Sequence, residues 1–144
     1  MNLKLHTDYG LRVLIFLARA DRRATIEEMA TQYDISKEHL TKVSRSLVRC
    51  GWLKATRGRG GGVSLAVPPA DIDVADVIGQ LEDRGHVLAC VDDALSCVLE
   101  PGCRLRVKLI KAEDAFYDSL RGTSIAELVR RPAPHHGLAG LPNH

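Results

Sequence analysis

Cys90, Cys97 and Cys103 are separated by six and then five residues, a spacing that lets three thiols converge on one centre without crowding. Three clustered thiols cannot pair among themselves into a closed disulfide framework. Soft-metal binding or redox chemistry is what such a group can do: an iron-sulfur cluster, a zinc ion with one further ligand, and a redox thiol all remain open. Cys103 stands beside Arg104 and Arg106 at the start of a helical pattern, where the helix dipole and the cations favour the anionic sulfur that metal binding requires. Cys50 lies apart and reads as a core thiol. There is no nucleophile motif and no paired carboxylate site, and the six histidines are dispersed, so the chain is expected not to be an enzyme.

A second group of residues suits a polyanion. Residues 1 to 69 carry twelve Lys/Arg against six Asp/Glu, whereas residues 70 to 144 carry eight against twelve. The front is therefore basic and the rear acidic, as in a chain whose front meets nucleic acid. Half of these twelve cations fall on two short segments. Lys37, Glu38, His39, Thr41, Lys42, Arg45 and Arg49 lie off the apolar stripe of Leu40, Val43, Leu47 and Val48, which leaves them on the exposed face of a helix. Arg57-Gly58-Arg59-Gly60-Gly61-Gly62 is too rich in glycine to pack, but can bring backbone and arginines close to a phosphate or a minor groove. A nucleotide-binding loop would need a following Lys-Ser or Lys-Thr and then a helix; neither is present.

These residues need elements to hold them. Leu11, Leu14, Ile15, Leu17 and Ala18 give a first helix from Thr7, a possible cap, to about Ala20. Thr25-Ile26-Glu27-Glu28 is a capping box that opens a short helix. Tyr33-Asp34-Ile35 makes a turn, and Ser36 caps the basic helix, which Gly51 stops. Two short helices across such a turn are a helix-turn-helix, whose second helix fits the major groove of DNA. Trp52–Thr56 and Val63–Val67 alternate as a hairpin around the glycine loop, which makes that loop a wing. Pro68-Pro69 closes it, and Asp73 caps a further short helix ending near Glu82 to Gly85. The segment from Gly85 to Gly102 has no sustained period and reads as a ligand loop. After Cys103, Leu105, Leu109, Ala112, Phe116 and Leu120 mark one face of a helix of about 17 residues. So long a lopsided helix is expected to be covered by a second copy of the chain, which would place two reading helices on half-sites about one DNA turn apart. Ser124 and Glu127 open a last short helix, and residues 132 to 144 read as a disordered tail.

The expected fold is mainly α with a small β-hairpin wing: a winged helix-turn-helix region over residues 1–70, a linker helix and cluster-binding loop over 71–103, and a dimerisation helix with a final short helix over 104–131. With 45% apolar residues the chain can bury one core. Its longest early apolar stretch, Leu11 to Ala20, is broken by Arg12 and Arg19, so a cytoplasmic protein is expected.

The opening Leu5-His6-Thr7-Asp8-Tyr9-Gly10-Leu11-Arg12, the segment from Ile35 to Lys42, the Arg57–Gly62 wing and the three cysteines leading into Arg104-Leu105 together resemble the Rrf-type winged-helix transcription regulators, and within them the nitric-oxide-sensing repressors. The resemblance covers about residues 1 to 130. It implies a 4Fe-4S cluster on Cys90, Cys97 and Cys103, with Asp8 of the partner subunit as the remaining ligand; composition alone would make Asp8 a first-turn carboxylate that complements the helix dipole. Related regulators of cluster assembly carry a histidine three residues after the last cysteine, where this chain has Arg106, which speaks against a 2Fe-2S site of that type. The resemblance further implies a homodimer that represses transcription and releases operator DNA when nitric oxide attacks the cluster; a regulator sensing iron-sulfur status or redox stress is the alternative. The DNA contacts are expected from Ser36, Lys37, His39, Thr41, Lys42, Arg45, Arg57 and Arg59.

Overall fold

The computed structural model describes residues 3–58, 60–82 and 102–130. In chain order these form α1 (Leu5–Ala20), α2 (Ile26–Tyr33), α3 (Lys37–Arg49), strands β1 (Leu53–Thr56) and β2 (Gly62–Leu65), a 3-10 turn (Pro69–Asp71), α4 (Val74–Leu81), α5 (Arg104–Leu120) and α6 (Ile125–Val129). The mainly helical architecture with one small hairpin is the one the sequence predicts.

The caps that the sequence marks are largely in place. Thr25 Oγ accepts the Glu28 amide, Ser36 Oγ accepts the His39 amide, Asp73 accepts the amides of Ala75 and Asp76, and Ser124 Oγ accepts the Glu127 amide. Between α2 and α3, Asp34 takes the left-handed conformation at φ 53°, which its short polar side chain tolerates. Gly51, at φ 82°, terminates α3.

Thr7 is the exception. The first helix begins two residues earlier, at Leu5, and Thr7 is fully buried inside it. Its hydroxyl donates to Glu82 Oε1 at 2.5 Å, and the same oxygen accepts the Lys4 amide at 2.8 Å. A carboxylate 78 residues away thus does the work of a local cap.

Residues from every α-helix except α5, and from both strands, are fully or almost fully buried in one core: Leu14 and Leu17 of α1, Met29 of α2, Leu40 and Leu47 of α3, Leu53 and Val63 of the hairpin, Val77 of α4, and Ile125 of α6. Gly10 permits the close approach of α4 to α1, because a Cβ there would strike Leu81. The hairpin is antiparallel, with Leu53 opposite Leu65 and Thr56 opposite Gly62. It is tied to the segment before α2 by a reciprocal pair of bonds between Ala24 and Val63, at 2.9 and 2.8 Å. At its other end the core is closed by backbone bonds from Val74 to the Thr123 carbonyl and from Ile125 to the Ile72 carbonyl, each 2.9 Å.

α5 has the predicted length of 17 residues but divides along its course. Phe116, Tyr117 and Leu120 pack against the core, with Tyr117 beside Gly79 of α4. Leu105 and Val107, nearer its start, are 58% and 53% exposed. Among the described residues no helix is long and apolar enough to cross a membrane. The predicted tail, residues 132 to 144, lies outside the described residues.

Candidate nucleic-acid interface and thiol site

α3 turns its apolar residues Leu40, Val43 and Leu47 inward, and this leaves Lys37, His39, Lys42 and Arg45 exposed on the opposite side, with Thr41 half-buried between. Ser36 sits at the helix start as its cap. The cations are held loosely. Lys37 Nζ pairs with Glu27 at 2.5 Å and Lys42 Nζ with Glu38 at 2.7 Å, and all four side chains are more than half exposed. Lys42 holds the Glu38 carboxyl below the usual carboxylate range, chiefly by hydrogen bonding. Exposed pairs of this kind contribute less than about 1 kcal/mol; a phosphate can displace the carboxylate at small cost. The Thr41 hydroxyl donates to the Lys37 carbonyl at 2.7 Å, and the His39 ring lies 6.1 Å from that of Tyr9.

The hairpin carries its loop beside this face. Arg57 is exposed at the loop entrance, followed by Gly58 at φ 95°, and Gly60 at φ 74°. A Cβ at Gly62 would overlap the Ala24 carbonyl, and one at Gly61 would lie 2.6 Å from the Thr56 carbonyl. The glycines therefore serve packing of the wing onto the helix-turn-helix as well as its bend. Arg59 lies outside the described residues. Together α3 and the wing line an open groove of about 870 Å³ that takes in Thr41, Arg45, Val48, Thr56 and Gly62.

Of the proposed cluster ligands, Cys90 and Cys97 lie outside the described residues, as does the loop predicted to carry them. Cys103 is the N-cap residue of α5, half-buried, with a free thiol and no side-chain cap bond. Asp8 lies in the first turn of α1, where both carboxylate oxygens accept from Arg12 Nε at 3.0 Å. That bond and the charge of Asp8 raise the Arg12 guanidinium above its ordinary value. Among the described residues no three metal-ligating side chains stand together. The donor chemistry fits an iron-sulfur cluster: thiols for iron, with Cys103 carrying a free thiol, and an accessible carboxylate whose partner is an exposed guanidinium. Cys50, read as a core thiol, is half-buried at the end of α3.

Residues that sequence reasoning missed lie at the start of α1. Lys4 and His6 meet the end of α3, where His6 Nε2 is 3.1 Å from Ser46 Oγ. Only the local run of cations on α3 could have hinted at them, since the partners are 40 residues apart.

Comparison with known proteins places the chain among regulators. Residues 3–131 match the family model Rrf2, described as an iron-dependent transcriptional regulator. The HTH-type transcriptional regulator NsrR of Oceanobacillus iheyensis is 40% identical over 144 residues, 98% of each chain. That of Bacillus subtilis is 39% identical over 133 residues, 90% of this chain and 91% of its own. Among solved structures, the oxidized form of Staphylococcus aureus CymR superposes with a TM-score of 0.73 at 24% identity, covering 92% of this chain and 99% of its own. T. potens IscR gives 0.72 at 22% identity, covering 90% and 87%.

Proposed function

The chain belongs to the Rrf2 family of transcriptional regulators, which are not enzymes, and from that membership we propose that it is a cytoplasmic, homodimeric repressor whose hold on operator DNA depends on an iron-sulfur cluster and is released by nitric oxide. The observation that carries the DNA half is the basic face of α3 lying next to a glycine wing anchored on Ala24. The sensing half is supported by the likeness to regulators named NsrR over nearly the whole chain, and by the three-thiol segment leading into Arg104-Leu105.

Ser36 fixes the start of α3, so that Lys37, His39, Thr41, Lys42 and Arg45 present donors to the major groove, and Arg57 and Arg59 in the wing sequence would serve the minor groove. Cys90, Cys97 and Cys103 would hold a 4Fe-4S cluster, with Asp8 of the partner subunit as the remaining ligand. When bound, the cluster supplies iron that reacts with nitric oxide. Asp8 is where that event reaches the reading helix: it is a residue of α1, which packs directly against α3. A carboxylate that joins two subunits restrains the spacing of their reading helices, and one that has fallen back on Arg12 of its own helix does not. A shift of a few kcal/mol between the two arrangements changes operator occupancy by orders of magnitude.

Anaerobic purification with iron and sulfide counts, followed by titration with nitric oxide while operator binding is measured, tests the reading. Loss of a four-iron chromophore in step with DNA release is expected. A colourless protein with unaltered DNA binding would refute the cluster, and release by cluster loss or oxidants without a response to nitric oxide would favour a sensor of cluster status or redox stress.

A further inference from the structure

We infer that the notch where the start of α1 meets the end of α3 is a second phosphate contact, gripping the DNA backbone on the side of the recognition helix opposite the wing. The inference rests on the DNA-binding reading and extends its surface to Lys4, His6, Ser46 and Arg49.

At 100° per residue, the outward face of α3 has two flanks on either side of Arg45. Ser44 and Val48 turn towards the hairpin, while Lys42, Ser46 and Arg49 turn towards α1. The groove over this face accordingly runs from Thr56 and Gly62 at one edge to His6 at the other. It continues into a second cavity of about 530 Å³ lined by Lys4, His6, Ser46 and Arg49. There the Ser46 hydroxyl accepts from Arg49 Nη2 at 3.1 Å and lies 3.1 Å from His6 Nε2. Lys4 Nζ is anchored on the Glu82 carbonyl at 3.1 Å.

A guanidinium, an ammonium, an imidazole and a hydroxyl around one cavity match the oxygens of a phosphodiester. Among the described residues, Glu82 is engaged by the Lys4 amide and the Thr7 hydroxyl, and Asp8 by Arg12. A major groove is about 12 Å wide, so a helix lying in it has a sugar-phosphate strand on each flank. The wing meets one strand and the notch meets the other. Such contacts fix register and carry no base information.

The test uses the full-length protein with its cluster, binding an operator duplex and an unrelated duplex over a range of salt. Lys4→Gln with Arg49→Gln should weaken both duplexes alike, on the order of tenfold, and reduce the magnitude of the salt slope by about one to two. The operator preference, the visible spectrum and the melting temperature should stay as they were, and Arg49→Lys should keep the slope. An unchanged slope, with or without weaker binding, overturns the inference, and so does a selective loss of operator over unrelated DNA. Saturable stabilisation of the wild type by millimolar inorganic phosphate, absent in the double variant and without any change in DNA binding, would assign the notch to a free anion and also overturn it. If the wild type itself binds no duplex in a salt-dependent way, the functional reading fails; normal wild-type binding with an unaltered variant sinks the notch alone.

Discussion

Asp8 and Arg12 form an ion pair one helical turn apart with side chains 41% and 48% exposed, and a pair so exposed at this spacing contributes only about 0.3–0.5 kcal/mol to stability. Asp8→Ala should therefore leave the melting temperature within about 2 °C of wild type. If Asp8 is a ligand, the same change should markedly speed loss of the cluster chromophore, and equal chromophore lifetimes in the two proteins would exclude that role. Cys103→Ala is expected to abolish bound iron while leaving the helical circular dichroism intact; retained iron at wild-type stoichiometry would remove Cys103 from the site. The residues on α3 were legible because type and spacing are local properties. Lys4, His6 and Glu82 were not, because their partners lie 40 and 78 residues away and no periodicity reports such a contact.

The same contrast runs through the elements. Thr25, Ser36, Asp73 and Ser124 cap helices within three residues of themselves, and so could be read from sequence. The bridge between Ala24 and Val63 and the burial of Thr7 depend on tertiary packing, and could not. Ser36→Ala should cost about 1 kcal/mol by removing a cap, lowering the melting temperature by about 3 °C and weakening DNA binding as the first turn of α3 frays. Gly62→Ala places a methyl group against the Ala24 carbonyl, so it should cost at least about 1 kcal/mol and expose the Val63 amide to faster hydrogen exchange. At the start of α2, Arg22 holds the Glu28 carboxyl below its ordinary range, chiefly by hydrogen bonding, with the Thr25 amide a lesser cause. A depressed carboxyl stabilises the fold above its unfolded value and loses that contribution as pH falls through its folded value. Melting curves between neutral pH and pH 3 should thus show a component that Arg22→Gln removes; identical pH profiles would show that the pair does not contribute.

For the molecule as a whole, the decisive feature is the division of α5. Its last turns join the core through Phe116, Tyr117 and Leu120, while Leu105 and Val107 remain in solvent. The sequence foresaw an apolar face in need of cover, but assigned its whole length to one purpose, because hydrophobic period does not distinguish a chain's own core from that of a second copy. Leu105→Glu with Val107→Glu should convert the proposed dimer into a monomer by sedimentation and lower operator affinity by at least a hundredfold, with little effect on the monomer's helix content. A variant that remains dimeric would place the subunit interface elsewhere. Ile125→Ala acts on the other end, where full burial predicts a loss of about 2–4 kcal/mol.

Ile125 also bears on how the protein is made. The helix-turn-helix and wing leave the ribosome well before Ile125, which is fully buried on the helix packed against α1 and bonded to Ile72, so a nascent chain carries every side chain proposed to contact DNA on a core that is still open. Folding as a unit must wait until α6 emerges. Chains cut short before α6 would then lack a closed core and be exposed to proteolysis, so the same short helix sets when the rest of the chain becomes stable.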